Sequence, residues 1–262
     1  INLVSILPSN YEDEVLADCT DDLNRAATGF DSGLEDTKLA LTAISDDGFV
    51  VETKSAYAPE MLTAFIKLNG ATVGVVANRT KVYDDNMEVV AEYEPKLTAN
   101  GCDKAAQFVY FCDDFSIPVL TLTNATGFKA CKCQEKRGAK ATARLTYAFA
   151  SATVPKVNVI IGEAFGSAYV TMNSKSIGAD MVFALPTAKV GMMDANAAAK
   201  IMYAKEIEED ASVLAEKTAE YAQLQGSVTK AASRGYVDNI VEPVDVRKYV
   251  IGALEMLYTK RQ

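Results

Sequence analysis

Two short segments place small residues at the end of an apolar run. They are Asn124-Ala125-Thr126-Gly127-Phe128, after Val119–Thr123, and Ala164-Phe165-Gly166-Ser167-Ala168-Tyr169, after Val157–Ile161. A strand that turns into a helix through small residues leaves the first N–H groups of that helix without intrahelical acceptors. The helix start adds about half a positive elementary charge. Such donors suit an oxygen that gains negative charge during a reaction, and one donor of this kind is worth roughly 10²–10³ in rate. Small residues also serve close helix–sheet packing, and for one loop alone that reading is the simpler. Two such loops on adjacent strand–helix units favour chemistry, because both open at the end of the sheet where open α/β proteins bind ligands.

The chain contains no histidine. A Ser-His-Asp triad, a Cys-His pair and any His-ligated metal site are therefore excluded within it. Cys131-Lys132-Cys133 supplies two thiols, half of a zinc site, and the other cysteines lack paired spacing. They read as free thiols on a loop, and no metal is expected. Five cysteines is an odd count, best met by reduced thiols in a cytoplasmic protein. The net charge of −9 argues against nucleic acid as a partner. Lys129, Lys132, Lys136 and Arg137 form a local basic cluster that reads as a solvated loop, or else as a contact to phosphate or a partner. Asp180 and Asp238 read as caps or ion-pair partners. No run reaches the ~18 consecutive apolar residues of a membrane span. The chain starts at Ile1, as a fragment or processed product does.

Helices and strands alternate around these loops. Residues 1–45 read as an irregular lead-in with acidic clusters at Glu12–Glu14 and Asp21–Asp22 and one helical stretch near Glu35–Ala43. Residues 46–262 read as one large α/β domain, and 49% apolar residues suffice for its core. Phe65–Leu68 and Thr72–Ala77 flank Asn69-Gly70, a hairpin signal. Cys102, Ala105, Ala106, Val109 and Cys112 recur at helical spacing. Pro118 opens the strand Val119–Thr123, a helix follows over about Ala139–Ala152, and Pro155 precedes the strand Val157–Ile161. A loop is expected over Gly162–Ser167, with a short helix from about Tyr169. Pro118 and Pro155 lie 37 positions apart, Gly127 and Gly166 lie 39 apart, and the pattern reads as a duplicated βα unit. Met181–Leu185 and Lys189–Met193 are expected to pair with each other. A helix starts after Asp194. Another starts in the acidic residues 206–210, with Ala211, Leu214, Ala215, Thr218 and Ala222 on its packed face. The last begins at Asp245, expected as its N-cap, with the stripe Val246, Val250, Ala253, Leu254, Leu257.

The segment from Phe165 through Gly166-Ser167-Ala168-Tyr169, Ser174-Lys175, Gly178-Ala179-Asp180 and Leu185-Pro186-Thr187-Ala188 closely resembles the biotin-dependent acyl-CoA carboxyltransferases and their decarboxylase relatives. Their corresponding segment runs Tyr-Gly-Gly-Ala-Tyr, Ser-Lys, Gly-Ala-Asp and Trp-Pro-Thr-Ala. Further blocks agree in order: Thr72–Asn78, Ala106–Cys112 with Phe115–Pro118, Tyr147–Ala150 with Ala152–Lys156, Arg234–Asp238 with Glu242-Pro243, and Leu7–Asn10 near the start. The resemblance covers nearly the whole chain. It implies a crotonase-like α/β fold of repeated ββα units, with this chain as the second of two related halves.

The resemblance also implies a division of labour. The first half mainly holds the acyl-CoA and the second mainly holds biotin. The oxyanion pair of the family falls on the main-chain N–H groups of Ser167 and Ala168, with Gly166 before them. Gly127 and Phe128 match the Pro-Gly-Phe loop that lines the same cleft, and with Tyr169 and Val170, which follow the pair, they are the cofactor-binding residues the resemblance implies. In this family the cofactor itself supplies the base, so the missing histidine is expected. Three departures from the pattern stand out. Ser167 replaces a glycine, which an ordinary L-residue backbone angle tolerates. Thr126 replaces a proline, and Lys129-Ala130-Cys131-Lys132 replaces Leu-Pro-Gly-Thr.

The reaction implied moves a carboxyl group between carboxybiotin and acetyl- or propionyl-CoA. One alternative is a decarboxylase subunit acting on methylmalonyl-CoA or glutaconyl-CoA. Another is a non-catalytic assembly domain whose altered loop no longer binds biotin. A Clp-like protease lacks its histidine here, and neither loop carries the pair of glutamates needed for hydration. No biotinyl-lysine motif of the Ala-Met-Lys-Met kind occurs, so biotin must arrive on another domain or chain. The partners implied are an N-terminal carboxyltransferase half, a biotin carboxyl carrier protein, a biotin carboxylase and further copies in a homo-oligomer. By itself this half is expected to be inactive.

Overall fold

The computed structural model describes residues 2–10, 13, 18–84 and 86–260; of the acidic run Glu12–Glu14, only Asp13 falls among them. The chain begins with helix α1 (Asn2–Ile6) and helix α2 (Thr37–Ile44). The carboxylate of Asp36 caps α2 by accepting from the Lys38 N–H. Strands β1 (Val50–Thr53), β2 (Met61–Leu68) and β3 (Ala71–Asn78) are antiparallel neighbours. Asn69 and Gly70 both take positive φ, 51° and 75°, as the turn of a tight hairpin requires. Two short pairings follow: β4 (Lys81–Tyr83) with β5 (Val89–Glu92), and β6 (Lys96–Leu97) with a later strand.

Crossover helices then return the chain to the sheet. Helix α3 (Ala99–Asp114) leads to β7 (Val119–Ala125), which passes through β8 (Gly127–Phe128) into α4 (Lys132–Ser151). Strand β9 (Lys156–Phe165) turns directly into α5 (Gly166–Thr171). After β10 (Met181–Ala184) and β11 (Lys189–Gly191) come α6 (Ala195–Met202), α7 (Ala204–Glu209), α8 (Val213–Gln225), α9 (Val228–Ser233), β12 (Asn239–Ile240) and α10 (Val246–Met256).

The eight-stranded sheet has the order β1-β2-β3-β7-β9-β10-β12, with β11 also on β9. From β3 onward every pairing is parallel, so the C-terminal ends of β7 and β9 lie side by side. Alternation sorts the side chains between two layers. Val73, Val75, Leu120, Leu122, Val157 and Val159 face α2 and α10. The other face, with Val76 and Val119, packs on α3, α4 and α5. Each fully buried leucine or valine contributes roughly 1.5–3 kcal/mol. Gly74 lets α3 approach: a Cβ there would stand 2.4 Å from Cys112 Sγ.

Six expectations change. β10 and β11 do not pair with each other; both run parallel to β9, against its first and second halves. Two strands that continue in one direction cannot form a hairpin, and Pro186 between them donates no N–H. Residues 162–165 are strand and not loop, because β11 and Ala125 of β7 extend pairing on both edges of β9. Helix α4 starts at Lys132, earlier than expected, because its first two turns are polar and carry no apolar period. Glu206, Glu208 and Glu209 belong to α7, and Asp210 follows its last residue in an extended conformation. There the Asp210 carboxylate accepts from the Ser212 N–H at 2.9 Å before α8 begins. The half-buried positions of α8 are Val213, Leu214, Lys217, Thr218 and Tyr221, while Ala211, Ala215 and Ala222 are exposed. The stripe of α10 is as expected, with Val246, Val250 and Ala253 buried. Asp245, however, pairs with Lys248 Nζ at 2.7 Å instead of capping the helix.

Candidate active site

The two small-residue loops meet. Ala125 and Ala164 are register partners at the ends of β7 and β9. Asn124 links the strand ends: its Oδ1 accepts from the Glu163 N–H at 3.1 Å. Gly162 keeps this contact possible, since a Cβ there would stand 2.7 Å from Asn124 Oδ1. Gly127 and Phe128 form β8 beside β6, anchored by Thr126 N–H to Pro95 O at 2.8 Å and Lys129 N–H to Leu97 O at 2.9 Å. The Thr126 hydroxyl also donates to Pro95 O at 2.9 Å. Thr126 therefore holds the loop by hydrogen bonds where the family pattern has proline. Helix α5 packs on β8, β7 and β9.

Gly166 is the hinge from strand to helix. Its φ is +58°, and a Cβ would come within 2.9 Å of the Met192 carbonyl oxygen, so both backbone angle and space demand glycine. Ser167 lies in α5 and is not among the residues of positive φ, so a serine there carries no backbone strain. Helix geometry gives the N–H groups of Gly166, Ser167 and Ala168 no acceptor one turn back, and no side chain caps this end. Ser167 is exposed and Ala168 fully buried.

A polar network fixes α5 from behind. Thr123 Oγ1 and Asn158 Oδ1 are 2.8 Å apart, both buried under the site. Asn158 Nδ2 donates to the Met172 carbonyl at 3.3 Å, and Asn173 Nδ2 donates to Thr121 Oγ1 at 3.0 Å. The Thr146 and Thr171 hydroxyls, 3.2 Å apart, join α4 to α5. Hydrogen bonds between buried polar groups favour one arrangement, and of this network only Asn173 Oδ1 has no partner among the described residues. Sequence periodicity could not reveal this network, because its members are far apart in the chain.

Tyr169 packs into an apolar cluster with Ile160, Val182, Val228 and Val237. Its buried hydroxyl has no hydrogen-bond partner among the described residues, and burial pushes its pKa up to about 12. Its ring packs α5 against the sheet and is 6% exposed. Val170 is half-buried and Phe128 exposed. Asp180 pairs with Lys260 at 2.7 Å and Asp238 with Lys175 at 2.7 Å, as expected of ion-pair partners. Arg137 is tied to Asp103 at 3.1 Å. Among the described residues no group of three or more Cys, Asp or Glu could hold a metal. A cleft of about 470 Å³ lined by Asp46, Asp47, Phe49 and Lys67 sits at the opposite end of the sheet from the two loops.

A strand-to-helix turn built for backbone donors, beside a second loop and without histidine, is the arrangement expected of a carboxyl-transferring domain. The model of the carboxyl transferase domain family matches residues 1–262, and the chain belongs to that family. It is 39% identical over 235 residues to the propionyl-CoA carboxylase beta chain of Saccharopolyspora erythraea, covering 87% of this chain and 41% of that protein. It is 36% identical over 269 residues to the methylmalonyl-CoA decarboxylase subunit alpha of Veillonella parvula, covering 99% and 50%. The crystal structure of transcarboxylase 12S, a hexamer with hydrolysed methylmalonyl-coenzyme A bound, superposes with a TM-score of 0.89 at 35% identity, over 100% of this chain and 50% of that one. The fold is crotonase-like, as the sequence resemblance implied. The chain spans about half the length of the relatives it matches.

Proposed function

We propose that this chain is the biotin-facing half of a carboxyltransferase that moves a carboxyl group between carboxybiotin and a short-chain acyl-CoA such as propionyl-CoA. The observation that carries this reading is the open N-terminal turn of α5, set by Gly166 at φ +58° beside Gly127 and Phe128. These residues fit biotin: two amides, at Ser167 and Ala168, meet the need of a ureido oxygen that gains charge. When bound, biotin supplies the carboxyl group and the base. The chain's own part is to orient and to stabilise. Ser167 and Ala168 N–H hold the oxygen, Gly166 gives the backbone room to turn, and Gly127, Phe128, Tyr169 and Val170 form the cofactor-binding side of the cleft, Tyr169 also packing α5 against the sheet.

The full protein is proposed to carry the N-terminal half for acyl-CoA. It would act in the cytoplasm with a biotin carboxyl carrier protein and a biotin carboxylase, as a homo-oligomer. Among the described residues no helix is long and apolar enough to cross a membrane. The second reading, decarboxylation of methylmalonyl-CoA, is favoured by the likeness to the Veillonella parvula subunit over nearly the whole chain. Full-length protein would be incubated with propionyl-CoA and N-carboxybiotin labelled in its carboxyl group, or with biotin and methylmalonyl-CoA. Label in the thioester supports transfer, and net CO2 release alone supports the decarboxylase. Neither reaction together with absent biotin binding leaves an assembly domain and refutes the proposal.

A further inference from the structure

Cys131 and Cys133 stand where β8 passes into α4. The lead into α4 places Cys131 at the N-cap and Cys133 in the first turn, a defined helix start where the sequence suggested a loop. Their Sγ atoms are in hydrogen-bond contact at 2.9 Å, within about 1 Å of disulfide bonding distance. The Cys131 carbonyl accepts from Gln134 and Glu135 N–H at 2.9 and 3.0 Å, so the turn that holds the pair is itself fixed. Cys133 is exposed and Cys131 partly so, whereas Cys102 and Cys112 are buried in the core and Cys19 is not paired with another thiol. The Cys133 thiol, the Gln134 N–H and the Lys129 ammonium all act on the Cys131 sulfur and lower its pKa. The same thiol–thiol bond raises that of Cys133. The two sulfurs are thus differentiated, one as nucleophile and one as resolving thiol.

We propose that Cys131 and Cys133 form a reversible dithiol–disulfide pair, oxidised by hydrogen peroxide and reset by a small thiol. The Cys131 thiolate attacks the peroxide O–O bond, which breaks; hydroxide leaves and takes a proton to become water, and Cys131 becomes a sulfenic acid. The Cys133 sulfur then attacks that sulfur; the S–S bond forms as the S–O bond breaks, and the Cys133 proton leaves with the hydroxyl as a second water. Each sulfur gives up one electron and the peroxide gains two. A disulfide of this kind in a reducing compartment is transient and serves sensing. Its place between β8 and α4 puts the modification at the wall of the candidate cleft.

The test uses the full-length protein and does not depend on its catalytic activity. Hydrogen peroxide is added at neutral pH, remaining thiols are alkylated after denaturation, and a chymotryptic peptide carrying both cysteines is weighed. The expected peptide is two hydrogens lighter and takes up no alkylating agent, with oxidation about tenfold faster than at Cys19. Two equivalents of a small thiol restore both sites: the first opens the S–S bond to a mixed disulfide, the second displaces the protein sulfur, and the two leave as their own disulfide while each cysteine regains its proton. In Cys133→Ser the reaction halts at a sulfenic acid that dimedone captures, and Cys131→Ser slows peroxide consumption by about tenfold. Both thiols remaining alkylatable, oxidation no faster than at Cys19, or disulfides only between molecules would each overturn the proposal.

Discussion

Replacing Gly166 by alanine adds one methyl group at the hinge between β9 and α5. An L-residue at φ +58° costs about 1–2 kcal/mol. The new Cβ would also stand 2.9 Å from the Met192 carbonyl oxygen, a backbone atom that cannot rotate away. That contact brings the total to roughly 2–3 kcal/mol. For a domain of this size such a loss lowers Tm by roughly 4–10 °C. Relief is available only if the first turn of α5 shifts, and a shift misaligns the Ser167 and Ala168 amides. Loss of one such donor lowers turnover by roughly 10²–10³. Thermal unfolding of Gly166→Ala, with carboxyl transfer assayed in the full-length protein well below its Tm, reads both effects. A Tm within about 1 °C of the parent, together with parental turnover, would refute the reasoning.

Arg247 is fully buried and pairs with Asp46 at 2.7 Å, while Asp46 also accepts from the Gly70 N–H at 2.8 Å. Arg247→Met leaves that carboxylate buried without its cation and should cost about 3–5 kcal/mol in urea unfolding. Turnover per folded molecule should not change, because the pair lies at the opposite end of the sheet. Lys104 has no exposed surface, and burial lowers its pKa to about 8 from 10.5. Its proton is held less tightly in the folded chain than in the unfolded one. Its contribution to stability therefore rises with pH between about 8 and 10.5, by roughly 3 kcal/mol over the interval. Subtracting the urea-unfolding curves of Lys104→Met from those of the parent at pH 7.5 and 10 isolates this slope from the opposing titration of buried thiols; equal differences at the two pH values would contradict it.

Local rules made much of the fold legible. Asn69-Gly70, the prolines before β7 and β9, and the apolar stripe of α10 each encode their element within a few residues. The start of α4 left no such trace, because its first turns face water and are secured by Arg137 reaching Asp103 on α3, to which Arg144 further along the helix also bonds. The placement of β10 and β11 depended on β9, which both share, and no local pattern names a common neighbour. At the site, the small residues around 166 were visible as candidates. The reason for glycine, a left-handed backbone against the carbonyl of Met192, was not. Neither was the Thr123–Asn158 network that sets α5, since its partners are 35 positions apart.

The most direct measurement compares two substitutions at position 167 in the full-length protein. Ser167→Pro deletes the N–H while proline remains tolerated in the first turn of a helix, and Ser167→Gly keeps the N–H and deletes the hydroxyl. If the main-chain amide is what stabilises the oxygen, the proline variant folds normally and loses roughly 10²–10³ of its turnover, while the glycine variant keeps it. Full turnover in the proline variant, or an equal loss in the glycine variant, would contradict the account.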